Sequence, residues 1–245
     1  MLWYYLKMLG GIHLNSWSVL VKIADENRNK IDQNIAQKIN NMTLKRSAEK
    51  LLSRLYPIAV ALDRLQSDSI TIAEAVEVWK ELGVKLYELG VNDVSVSFEA
   101  RCKNTISKAH LLANLLHPKF RGTSLTLEEK ENAIEYASSK SPFLTPVVMK
   151  FQGQSSPFIP CKFQDTVVDS LSPVEWWSSF SGVLDDEILS VMAKLHTAVA
   201  SSAGVERVFH SFGLVQSKLR NRLGTEKASK LVFVYKAFNP KALQE

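Results

Sequence analysis

The residues able to do chemistry are few and scattered. Asp185-Asp186-Glu187 is an acidic triplet, but adjacent helical side chains point about 100° apart, so these carboxylates cannot converge on one ion. Cys102 and Cys161 are the only cysteines; with no second Cys or His at ligand spacing, they signal neither a zinc site nor a disulfide framework. Glu206 and His210 stand four apart, a spacing that permits a contact on one helix face. Two ligands fall short of a metal site, so an ordinary polar contact is expected there, with Glu206 complementing the dipole at a helix start. Lys218, Arg220 and Arg222 form a basic group, read either as a solvated helix end or as a contact to nucleic-acid phosphates.

Charge gives this end of the chain its character. The 245 residues carry a net charge of +5, and residues 206–245 hold eight Lys/Arg against three acids. The remainder is balanced, so any attraction to a polyanion is expected at the C-terminus. The hydrophobic fraction of 46% is enough for a core, and a folded protein is expected. The opening Met-Leu-Trp-Tyr-Tyr-Leu is interrupted by Lys7 and Asn15 and lacks a basic start, so it does not read as a secretory signal. No run approaches the roughly 18 apolar residues of a membrane span. A nuclear or cytoplasmic, non-secreted protein is expected, since two distant cysteines suit a reducing compartment.

The elements that must position these residues read as helices. Leu20, Ile23, Ile31, Ile35 and Ile39 predict an amphipathic helix over about 18–40, and Leu44 to Leu65 predict another that Pro57 kinks or restarts. Thr71 with Glu74 and Thr126 with Glu129 have the form of capping boxes that open helices. A loop is expected around Gly90–Ser97, then a dense apolar run over Ile106–Leu116 ended by His117-Pro118. Residues 151–172 lose all period and read as an irregular linker between a helical region, 1–150, and a C-terminal region, 173–245. Periodic segments close the chain: Leu184–Val199, then Val205, Val208, Phe209, Phe212, Val215 and Leu219 on one face, then Leu231, Val232, Tyr235 and Phe238. The last could be a strand by β-propensity, but helix is the preferred reading.

Several of these stretches resemble one family. Ala200-Ser201-Ser202-Ala203-Gly204-Val205-Glu206-Arg207-Val208-Phe209, followed by Phe212-Gly213 and Leu219-Arg220-Asn221-Arg222-Leu223-Gly224, resembles the C-terminal signature of hAT-superfamily DNA transposases. Trp176-Trp177 looks like the family's tryptophan landmark, and Leu116-His117-Pro118-Lys119-Phe120 like its Leu-x-Pro-basic-Phe segment. Leu55-Tyr56-Pro57-Ile58-Ala59 and Thr71-Ile72-Ala73-Glu74 are similar to its helical insertion domain.

The resemblance implies a mainly α chain: an insertion-domain-like bundle followed by the C-terminal helices of a truncated ribonuclease-H-like domain. It implies that Glu206 matches the third of three metal-binding carboxylates, the other two lying on strands before the first matching residue. A single carboxylate cannot orient two divalent ions, so no metal or other cofactor is expected for this chain alone, and Mg or Mn only within an intact transposase. His210 stands where the family usually has Ser. The implied function is dimerisation with itself or related hAT proteins, through surfaces drawn from Trp176, Trp177, the Val205–Leu219 face and the closing Leu231–Phe238 segment. The alternatives are a fragment of an active metal-dependent transposase and a weak DNA-backbone binder using Lys218, Arg220 and Arg222. For the tryptophan pair, core filler and interface anchor both stand.

Overall fold

A computed structural model describes residues 16–27, 29–90, 92–202, 206 and 225–238. Among these residues every element is helical. They are α1 (Trp17–Glu26), α2 (Gln33–Ile39), α3 (Met42–Leu65), α4 (Ile72–Glu88), α5 (Asn92–Thr105), α6 (Lys108–Leu115), α7 (Leu127–Lys140) and α8 (Leu144–Gln152). A 3-10 turn (Pro160–Phe163) follows, then the short α9 (Asp165–Val168), α10 (Pro173–Ser178), α11 (Asp186–Thr197) and α12 (Thr225–Phe238). No described helix is long and apolar enough to cross a membrane.

Local chemistry sets most boundaries. The capping boxes at Thr71/Glu74 and Thr126/Glu129 form, each with hydroxyl and carboxylate satisfying the other residue's amide. A third, Ser172/Glu175, opens α10 ahead of Pro173. Two expectations change, and the choice left open at Pro57 narrows. The helix expected over 18–40 is two helices, because the Asp32 carboxylate accepts the amides of Asn34 and Ile35 and starts a new one. Helix α3 runs through Pro57 without restarting; the proline has no amide to give the Ser53 carbonyl, and the helix on either side carries the segment across that lost bond. The loop expected at 90–97 is instead largely the start of α5, whose weak apolar period hid it.

One apolar cluster fills the centre. It joins Val76 of α4, Leu112 and Leu115 of α6, Ala133 and Ala137 of α7, Val148 and Phe151 of α8, and Met192 and Leu195 of α11. Asn114 is fully buried and ties two layers, its amide donating to the Ala73 carbonyl and to Glu77 Oε1 at 2.6 Å. Beyond α6 the chain reverses tightly at Gly122, whose φ of +65° and whose 2.7 Å approach of a hypothetical Cβ to Leu115 Cδ1 leave room only for glycine.

The core continues through the segment expected as an irregular linker. Phe158 and Phe163 are buried and pack with Phe151, Trp176, Trp177 and Phe180. Phe158→Ala should therefore cost about 3–5 kcal/mol, as for a buried aromatic in any core. Urea denaturation would measure it; a loss below about 1 kcal/mol, the range of surface changes, would place residue 158 outside the core.

Candidate functional site

The C-terminal part meets the preceding bundle along a polar and aromatic seam. Helix α6 ends at Leu115, and the Leu116 carbonyl accepts the Trp177 indole N–H at 3.1 Å. Trp176 donates its own indole N–H to the Lys162 carbonyl at 2.9 Å. Trp177 stacks on Phe151, with centroids 5.3 Å apart and planes 20° apart, while Phe158 lies nearly parallel to Trp176. At the start of α4 the Ile72 amide donates to the Ala198 carbonyl, and the Ala200 amide returns the bond to Ile70. Lys119 Nζ reaches Asp169 Oδ1 at 2.6 Å, and this bond raises the lysine pKa.

Two buried histidines lie in this seam. His117 stacks on Phe120 at 4.0 Å, takes the Lys119 amide on Nδ1, and meets His196 edge-on at 5.8 Å. His196 lies parallel to Trp177, and neither of its ring nitrogens completes a hydrogen bond. Burial first, then the Lys119 charge, pushes His117 down to about 4. Burial first, then His117, pushes His196 down to about 3 against a small opposing pull from the Leu116 carbonyl. Both rings are therefore neutral at neutral pH.

The sequence-predicted residues divide clearly. Trp176 and Trp177 are 2% and 1% exposed, which makes them core and removes them from any surface. Glu206 is exposed; its amide donates to the Ser202 carbonyl, and its Oε1 accepts the Ser202 hydroxyl at 3.0 Å. Asp185 caps α11 by accepting the Glu187 amide, with Asp186 and Glu187 in the first turn. Among the described residues no three His, Cys, Asp or Glu side chains gather as a metal site. Among the described residues the side chain bonded to Glu206 is Ser202.

Val205, Val208, Phe209, His210, Phe212, Lys218, Leu219, Arg220 and Arg222 lie outside the described residues. So do the side chains of Tyr235 and Phe238, although both positions belong to α12. Within that helix Val232 is buried, whereas Leu231, Phe233 and Val234 are 43%, 75% and 48% exposed. Phe233 and Val234 were not among the sequence-predicted contacts. The helical spacing of Leu231 and Val234, three apart on one face, is a signal for Val234, and Phe233 carries no such signal.

Residues 158–238 match the hAT family C-terminal dimerisation region. The matched stretch begins at a core phenylalanine, spans both buried tryptophans and ends with α12. No curated protein matches the chain significantly.

The histidine pair makes stability fall with acid. An unfolded histidine binds a proton near pH 6.5, whereas these two resist it until about 4 and about 3. Stability is full above pH 6.5 and drops as pH falls toward those folded values. Each ring should remove about 2 kcal/mol between pH 7 and pH 5. His110, lowered by burial, adds in the same direction. Urea midpoints at the two pH values check this: His196→Leu should visibly flatten the dependence, and an unchanged slope would contradict it.

Proposed function

We propose, on the premise that residues 158–238 are an hAT family C-terminal dimerisation region, that this chain is a transposase-derived association module without catalytic activity of its own. It pairs with a second copy or with a related hAT chain. The observation that carries the reading is the family match ending on a helix that turns Leu231, Phe233 and Val234 to solvent. Exposed apolar side chains grouped on one element favour a partner over open water. The buried tryptophans support this arrangement from within, by fixing the preceding chain on the bundle.

Glu206 acts locally in this reading. Its carboxylate accepts the Ser202 hydroxyl, and the chain offers it no converging carboxylates among the described residues. Metal-dependent cleavage would need those partners, since two-metal phosphoryl transfer clamps both attacking and leaving oxygens. The charge excess over residues 206–245 favours a second role, sequence-independent contact with DNA phosphates by Lys218, Arg220 and Arg222, and with it a nuclear setting. Binding to a random duplex should then be weak and fall steeply with salt, and Arg220→Ala/Arg222→Ala should weaken it further. Affinity indifferent to salt would remove that role.

Sedimentation of the full chain tests the association. A dimer is expected at tens of micromolar, and Phe233→Asp/Val234→Asp should weaken it by about thirtyfold or more, as loss of a central apolar contact does. The circular dichroism should stay helical. A monomer at that concentration, together with failure to co-purify with an intact hAT relative, would overturn the proposal.

A further inference from the structure

Away from the seam, a cleft of about 630 Å³ opens between α5 and α7. Helix α5 packs on α4, and α7 on α6, without extensive packing between α5 and α7 themselves. The gap between them is the cleft. Its volume lies within the usual range of small-molecule sites, about 300–1,000 Å³. The apolar wall is the pair Trp79 and Phe98, with ring centroids 5.7 Å apart and planes tilted by 44°. Gly83 allows that wall to form, because a Cβ there would stand 3.1 Å from Phe98 Cε1. Neither ring belongs to the closed core; both are half-buried and line the opening.

The charges around the cleft decide what it would hold. Lys80 Nζ lies 2.6 Å from both Glu129 oxygens, and Lys108 is paired with Glu135, so these two ammonium groups are already neutralised. Burial pushes the Cys102 thiol up to about 11, so it stays protonated and uncharged at neutral pH. That leaves Glu99, Glu128 and Lys103, none of which has an ion-pair partner among the described residues. Two carboxylates against one ammonium group, beside two aromatic rings, give a site complementary to positive charge. Glu128 lies in the first turn of α7.

We propose that this cleft binds a small organic ammonium cation, its alkyl groups against Trp79 and Phe98 and its charge facing Glu99 and Glu128. Aromatic faces attract such cations through their quadrupole, and desolvation in a concave site strengthens that attraction. Binding in this cleft is independent of self-association, because none of these residues lies on α12 or in the matched region.

Calorimetric titration of the full chain with benzyltrimethylammonium tests it, with benzenesulfonate and benzyl alcohol as anionic and neutral probes of the same ring. Saturable binding of the cation is expected, at least tenfold tighter than either control. Glu99→Gln/Glu128→Gln should weaken it by about tenfold, and Lys103→Gln should tighten it by about twofold, the signs that Coulomb attraction and repulsion require. These three positions are exposed, so the variants should fold, and their urea midpoints would confirm it. Trp79→Leu should also weaken binding. The proposal is overturned if the cation gives no saturable heat, if the anionic or neutral probe binds as well, or if the double glutamine variant binds like the parent.

Discussion

Helix α6 ends inside the protein, where its terminal carbonyls cannot turn to water. The Leu116 carbonyl is satisfied by the Trp177 indole, which lies 61 residues further along the chain. A buried acceptor left unpaired costs roughly 1–3 kcal/mol, so this bond fixes both partners at once. Trp177 must approach edge-first, and that orientation sets its stack on Phe151 and its near-perpendicular contact with Trp176. The segment from Phe158 to Phe180 then has one way to lie. Its return to the bundle places Ala198 and Ala200 beside the start of α4, where paired backbone bonds close the seam. The environment that keeps His117 and His196 neutral is a consequence of the same packing.

What the sequence disclosed follows from how local each signal is. Capping boxes involve four residues, and both expected ones formed; their recognition needs only a hydroxyl and a carboxylate three apart. The break at Asp32 was equally local, but its apolar neighbours Ile31 and Ile35 kept the helical period across it and masked the cap. Helix α5 failed to register for the opposite reason. Its apolar residues do not collect on one stripe, since it contacts chiefly α4 and leaves Val96 exposed. The helical reading of Leu231–Tyr235 against its β-branched composition agrees with α12, where the helical assignment prevails over propensity.

The tryptophan pair could not be assigned by composition, because large amphipathic rings serve cores and interfaces alike. Only long-range partners decide, and the two carbonyl acceptors, on Leu116 and Lys162, are invisible to any periodicity. The same limit applied to the 151–172 stretch. Lack of period suggested a spacer, yet its phenylalanines fill the gap between α8 and α10 by tertiary packing without belonging to a regular face. Irregular backbone and burial are compatible when the aromatic side chains, not a helical stripe, supply the contact.

The last helix presents the opposite balance. Helix α12 has 14 residues, near the length at which an isolated helix in water is marginal. One of its described side chains, Val232, is buried, and it makes no extensive contact with another described helix. The ion pair between Glu226 and Lys230, exposed and four residues apart, supplies only a few tenths of a kcal/mol. Local propensity therefore gives this helix little reserve, while Leu231, Phe233 and Val234 remain in solvent. Covering those three side chains with a second apolar surface would stabilise the helix and remove the exposure in one step. A partner surface placed on this helix would therefore couple association to folding, because it would supply packing that the rest of the described chain does not.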